Sequence, residues 1–202
     1  MEWLPSLFAA HPLDLKAGLD RIVQSEIQQV HLDCMDGHFV PNITFGPSVI
    51  KAVKDYVPQL FRDVHLMLVH PEDFIEKYIE SGAQRIFIHL EIDSISLKNS
   101  VEILQKSKIE WGFAIKPETP VTYLEVYSDW IVRTSRLLVM SVHPGFSGQT
   151  FIPQTYGRIQ FIRKLFPTLE LCVDGGVTPG IADNLADLGV ESCVRGSNFF
   201  KG

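Results

Sequence analysis

The chain has little cysteine, little positive charge and no long apolar run. Among 202 residues there are three cysteines, Cys34, Cys172 and Cys193, far apart and without C-x-x-C spacing. They read as buried small hydrophobes in strand-like runs, not as a disulfide framework. Eighteen Lys and Arg against 24 Asp and Glu leave a net charge of -6. With no basic run to neutralise phosphates, nucleic acid is not expected as a partner, although a small anion needs only a local site. No apolar stretch approaches a membrane span, and the N-terminus lacks the basic-then-apolar layout of a signal peptide. A cytoplasmic, reduced location with no membrane partner is the expectation. Linkers, low-complexity tracts and breaks in composition are lacking too, so residues 1–202 read as one domain.

What is present centres on His31-Leu32-Asp33-Cys34-Met35-Asp36-Gly37. The stretch follows Ile27 and Val30 and alternates like a strand, with His31, Asp33 and Met35 on one face and Leu32 and Cys34 on the other. A buried His and Asp need compensation, which either a hydrogen-bonded pair or a bound cation can supply. The choice between the two depends on whether the pattern recurs.

Short apolar or alternating runs separated by amphipathic segments repeat along the chain. Strands are expected at 3–10, 29–35, 61–68, 85–91, 111–115, 137–142, 169–173 and 192–194. Helices are expected at 13–26, 48–56, 71–81, 97–107, 120–126, 153–165 and 181–188. Eight strand–helix alternations point to an α/β fold of the (β/α)8 TIM-barrel type, with a doubly wound open sheet as the alternative. A barrel gathers its chemistry at the C-terminal strand ends. There stand His31 and Asp33, His65, His89 and Glu91, Lys116, His143 and Asp174, on six strands. So regular a placement is hard to assign to chance.

His31, Asp33, His65 and Asp174 make a two-imidazole, two-carboxylate set suited to one divalent ion, Zn²⁺, Fe²⁺, Mn²⁺ or Co²⁺. Met35, Met67 and Met140 fall near the same ends and can form a dry floor beneath a reacting carbon. Pro144-Gly145-Phe146-Ser147-Gly148-Gln149 follows the sixth strand, Gly175-Gly176 the seventh and Gly196-Ser197 the eighth. Backbone N–H groups in such loops cradle phosphate, and the loops after the last two strands are the usual barrel location. A cation between two carboxylates beside a phosphate grip suits proton abstraction next to a carbonyl. One acid removes a proton from one face of a metal-stabilised ene-diolate precursor, and the other returns a proton to the opposite face. No dinucleotide fingerprint stands here.

Three longer motifs carry a resemblance: residues 31–42 (HLDCMDGHFVPN), Asp63-Val64-His65-Leu66-Met67, and residues 140–149 (MSVHPGFSGQ). With Val173-Asp174-Gly175-Gly176 and Gly196-Ser197 they resemble the ribulose-phosphate 3-epimerase family, in family order along almost the whole chain. The resemblance implies a metal-dependent isomerase interconverting D-ribulose 5-phosphate and D-xylulose 5-phosphate by two-base proton transfer at C3. It implies that His31, Asp33, His65 and Asp174 hold the metal, with Asp33 as proton acceptor, Asp174 as donor and His65 also touching substrate. The backbone at Gly145, Phe146, Ser147, Gly148, Gly175, Gly176, Gly196 and Ser197 would hold the phosphate. Homo-oligomers are common among similar proteins, and one is expected here.

Some residues depart from the family pattern. Ala9-Ala10-His11 stand where the family usually reads Ser-Ala-Asp, removing a hydroxyl worth roughly 0.5–1.5 kcal/mol. His143 replaces a common acidic residue. Ser147 replaces a glycine, which is tolerated only if that position does not need positive φ. The end at Gly202 leaves no room for the usual final helix, so the barrel is expected to be shortened there. None of these changes touches the four ligands. The alternatives are a 3-epimerase of a hexulose 6-phosphate such as allulose 6-phosphate, and a barrel that binds a sugar phosphate without turnover. Aldol or decarboxylase chemistry would want a Lys among the acids, and Lys116 lacks that setting.

Overall fold

A computed structural model describes residues 1–200. The eight expected strands form β1 (Glu2–Pro5), β2 (Gln29–Met35), β3 (Phe61–Met67), β4 (Arg85–His89), β5 (Glu110–Ile115), β6 (Arg136–Met140), β7 (Glu170–Asp174) and β8 (Ser192–Arg195). All pairs are parallel, in the order β1-β8-β7-β6-β5-β4-β3-β2. The ends of that sheet meet through a parallel bridge between Ser6 and His31. The barrel is thus a (β/α)8 TIM barrel, and the open-sheet alternative falls.

Strand alternation divides the apolar residues into two cores. Leu32 and Cys34, Val64 and Leu66, Ile86 and Ile88, Phe113, Leu137 and Val139, Leu171 and Val173 face outward beneath the helices. Each such Leu, Ile or Val contributes about 1.5–3 kcal/mol by leaving water. The barrel interior holds a smaller group: Leu4, Phe87, Ala114, Leu138, Met140, Cys172 and Val194. At its N-terminal mouth, Arg85 pairs with Glu110 at 2.5 Å and Arg136 with Glu170 at 2.9 Å. The apolar plug above and the charged ring below leave the C-terminal mouth as the open end. All three cysteines are buried and free, as expected.

The helical segments are α1 (Leu15–Gln24), α2 (Pro47–Tyr56), α3 (Ile75–Ser81), α4 (Ser94–Lys106), α5 (Tyr123–Val126), α6 (Ser128–Ile131), α7 (Thr155–Leu165), α8 (Pro179–Asp187) and α9 (Ser197–Phe200). Side-chain caps explain two of the starts. Asp14 accepts from the Ala17 N–H ahead of α1, and Asp93 from the Ile95 and Ser96 N–H groups ahead of α4.

The structure corrects several expected boundaries. The run at 3–10 is not one strand: it ends at Pro5, and Leu7–Ala9 form a 3₁₀ turn closed by Ala9 N–H to Ser6 and Ala10 N–H to Leu7. Leu7 is fully buried in the outer core, so its apolarity marks turn packing and not strand alternation. The helix expected at 71–81 is a 3₁₀ turn at Pro71–Asp73 followed by α3, with Phe74 off helical geometry at φ -125°. α6 was not expected at all. Glu91 lies beyond the end of β4, and β6 stops at Met140, where the Ser141 N–H turns to the Asp174 carbonyl at 2.7 Å. The expectation tied to Gly202 lies outside the described residues.

Gly112 in β5 shows how tightly the interior is filled. A Cβ there would stand 2.0 Å from the Arg136 carbonyl oxygen and 2.8 Å from the Phe87 ring. The Phe87 ring fills the barrel centre only because Gly112 leaves it room. Gly112→Ala is therefore expected to destabilise the barrel by about 1–3 kcal/mol, read by calorimetry as a Tm lower by roughly 2–12 °C. An unchanged Tm would contradict this packing.

Candidate metal and sugar-phosphate site

Register builds the site. In the β2–β3 pair His31 lies beside Asp63, Asp33 beside His65 and Met35 beside Met67, while in the β6–β7 pair Met140 lies beside Asp174. Neighbours in register share a face of the sheet, so these side chains enter the barrel in successive layers. One ligand atom from each of His31, Asp33, His65 and Asp174 lies within 4.8 Å of the other three. Both imidazoles are fully buried and Asp33 is 6% exposed.

The hydrogen-bond pattern tests whether these groups suit a cation. His31 Nδ1 is 2.7 Å from the buried Asp63 carboxylate, which can only accept, so the ring hydrogen sits on Nδ1. The other nitrogen, Nε2, has no hydrogen-bond partner among the described residues and faces Asp33 Oδ1 at 3.3 Å and Asp174 Oδ2 at 4.0 Å. His65 Nδ1 faces the same two acids at 3.1 and 3.9 Å. Two imidazole nitrogens and two carboxylates converge on one point, and one of those nitrogens is a buried orphan. That donor set fits a divalent cation. The Asp63 carboxylate behind His31, itself 3.3 Å from Arg85, is the outer support such a ligand needs.

The acids are driven apart electrostatically. Burial opposes the charge on Asp33, yet the His31 and His65 rings hold its carboxyl well below the usual range. Burial, then the Asp33 charge, pushes Asp174 well above it. For His31, burial disfavours the charged ring, but Asp33 and Asp63 outweigh it and raise the pKa. Burial wins at His65, which is lowered, and at His89, pushed down to about 4. Glu91 is lowered to about 2: burial opposes this, but His89, Thr119 and the Lys116 N–H outweigh it.

Above the cluster opens a cavity of about 470 Å³. Asp33 and Asp174 reach its wall, with Met35, Met67 and Met140 beside them. Its wall also includes Gly145, Phe146, Ser147, Gly148, Gly175, Gly176, Gly196 and Ser197, so every expected phosphate-loop residue meets there. Neither His31 nor His65 lines the cavity; both stand behind the acids. Gly176 adopts φ +66°, and a Cβ there would meet the Phe151 backbone nitrogen at 2.4 Å, so glycine lets two loops close on each other. Ser147 does not have positive φ, which meets the condition for its replacing a glycine.

Sequence reasoning missed one contact outright. The Ser6 hydroxyl donates to Asp33 Oδ2 at 2.5 Å. Ala9 lines the cavity without a hydroxyl, while Ser6, three residues earlier, supplies one beside the acid. The signal was available, since Glu2, Leu4 and Ser6 alternate on one face. Asp63 was also given no role, although it stands two residues before His65 on the same face. Of the other strand-end residues, His143 pairs with Glu118 on the rim, and Lys116 Nζ lies 3.7 Å from the centre of the Phe39 ring. Neither joins the four-residue cluster.

Comparison with known proteins agrees with this geometry. The model of the ribulose-phosphate 3 epimerase family matches residues 3–200. The ribulose-phosphate 3-epimerase of Chlamydia trachomatis serovar D is 36% identical over 98% of this chain and 85% of that protein. The cytoplasmic isoform of the same enzyme from Oryza sativa subsp. japonica is 33% identical over 97% of this chain and 86% of its own. Among solved structures, the 3-hexulose-6-phosphate synthase of Salmonella typhimurium superposes with a TM-score of 0.72 at 14% identity, over 98% of this chain and 89% of that one, a likeness of fold alone. The family match spans nearly every residue and the relatives exceed 30% identity: the chain belongs to the ribulose-phosphate 3-epimerase family.

Proposed function

We propose that the chain interconverts D-ribulose 5-phosphate and D-xylulose 5-phosphate by carrying a proton off one face of C3 and onto the other. The observation that carries this reading is the pair Asp33 and Asp174, in one 4.8 Å cluster and both open to the cavity. Their opposed pKa shifts support distinct roles, since groups pushed apart in this way divide into base and acid. Asp33, held ionised, is the acceptor, and Asp174, biased toward its protonated form, is the donor. The Ser6 hydroxyl fixes one Asp33 oxygen and leaves the other turned to the cluster.

His31, Asp33, His65 and Asp174 would hold one divalent ion: zinc, iron, manganese or cobalt. When bound, such an ion polarises the substrate carbonyl and offsets the negative charge that develops on the sugar oxygens. Backbone N–H groups of the loops at Gly145–Gly148, Gly175–Gly176 and Gly196–Ser197 would grip the phosphate, holding C3 between the carboxylates. Met35, Met67 and Met140 keep the floor apolar, which strengthens the electrostatics above it. We place the reaction in the cytoplasm, as the rice relative's name has it for that protein. Among the described residues no helix is long and apolar enough to cross a membrane.

Asp33→Asn and Asp174→Asn are each expected to lower kcat by about 10²–10⁴-fold, with circular dichroism unchanged, in an assay coupled to xylulose 5-phosphate formation. Near-wild-type turnover by either variant would remove that carboxylate from the acid–base pair. Exhaustive chelation is expected to abolish turnover, and one equivalent of Zn²⁺, Fe²⁺, Mn²⁺ or Co²⁺ to restore it. Full activity in protein that elemental analysis finds metal-free would refute the cation.

A further inference from the structure

Behind His65 lies a second buried cluster that the proposed reaction does not use. His65 Nε2 stands 2.8 Å from His89 Nε2, and His89 Nδ1 stands 2.8 Å from Glu91 Oε2. The other Glu91 oxygen accepts from the Lys116 N–H at 2.7 Å and from the Thr119 hydroxyl. His65 and His89 are fully buried, with their rings stacked at 5.0 Å, and Phe39 covers His89 with its ring centre 4.6 Å away. Neither ring has an exposed face at which water could replace these partners, while the Glu91 side chain keeps 16% exposure.

With both rings neutral, and with a cation taking the His65 Nδ1 lone pair in place of its 3.1 Å contact with Asp33 Oδ1, the contacts admit one assignment of hydrogens. A carboxylate only accepts, so His89 carries its hydrogen on Nδ1. A neutral ring then presents a bare lone pair at Nε2. Across the 2.8 Å gap one nitrogen donates and the other accepts, so His65 is the donor through Nε2–H. Its Nδ1 is left bare and aimed at Asp33 and Asp174.

We propose that Glu91 and His89 are positioning residues: through a Glu91–His89–His65 relay they keep the hydrogen of His65 off the nitrogen that faces the cation. With the relay cut, the nearest acceptor for that hydrogen is Asp33 Oδ1 at 3.1 Å. A hydrogen placed there would use up both the His65 lone pair and an Asp33 oxygen. His31 is served by a different partner, Asp63, so each imidazole has its own support on the inner face of the barrel. This inference rests on the reading that the four residues hold a divalent ion.

Glu91→Gln tests it with almost no change of shape. The Lys116 N–H still needs an acceptor, so the amide oxygen turns to it and the amide NH2 turns to His89. His89 then accepts at Nδ1 and donates from Nε2, and the hydrogen of His65 moves to Nδ1, facing Asp33. Nitrogen-15 spectra of the metal-free protein are expected to show His89 protonated at Nδ1 in the wild type and at Nε2 in Glu91→Gln. Zinc affinity, by competition with a chelator, is expected to fall about 10- to 100-fold, while kcat at saturating zinc falls less than the affinity. Should Glu91→Gln not fold, His89→Phe, which removes the acceptor for His65 Nε2–H, is expected to show the same loss of zinc affinity. An unmoved His89 hydrogen in Glu91→Gln, or zinc affinity within twofold of wild type in whichever variant folds, would overturn the relay. A wild-type chain that takes up no zinc, iron, manganese or cobalt would instead overturn the cation reading, and this role with it.

Discussion

Two carboxylates and two imidazoles share a space less than 5 Å across inside a protein barrel, and the rest of the site answers to that crowding. Acids buried together repel, and each loses its hydration; the arrangement persists only if positive charge or hydrogen-bond donors face them. Asp33 has Ser6, His31 and His65 around it. Asp174 has distant imidazoles and a charged neighbour, and it takes up the difference as a raised pKa. A divalent ion would relieve both at once, and the orphaned His31 nitrogen faces the point where it would sit.

That crowding exists because the sheet is parallel and closed. Parallel register sets His31 against Asp63 and Asp33 against His65 without any loop to position them. The bridge from Ser6 to His31 then brings β1 round to β2, placing a hydroxyl from the first strand beside an acid from the second. Rigid strands carry the four clustered side chains, while the glycine loops proposed to hold the phosphate stand above them at the same mouth. The charged ring at the opposite mouth is not isolated from this chemistry: Arg85 contacts both Glu110 and Asp63, and Asp63 holds His31.

Alternation was the most informative pattern in the chain. It placed His31, Asp33 and Met35 inward and Cys34 outward, and the structure agrees because a strand's two-residue period admits no other arrangement. The same period pointed to Asp63 and Ser6, but a face says nothing of what a side chain will meet across the barrel. The run at 3–10 is strand only to Pro5, because apolar residues buried under a turn look in sequence like those of a strand. At 71–81 one helix is expected, yet Phe74 leaves helical geometry and breaks the segment in two. Glu91 lies past the end of β4 and not within the strand expected at 85–91, and its carboxylate gathers donors from β4's own histidine and from the turn after β5.

By itself the sequence determined the order and period of the elements, and hence the barrel, together with the residue types available at its mouth. These follow from local rules: two-residue and 3.6-residue periods, glycine where loops tighten, apolar runs of strand length. Tertiary structure alone decided which nitrogen of each imidazole faces the acids, which serine touches Asp33, and that Asp33 and Asp174 titrate apart. Those properties depend on separations within 4.8 Å between residues as far apart in the chain as Asp33 and Asp174. Closure of the barrel sets such distances, and no local pattern encodes them.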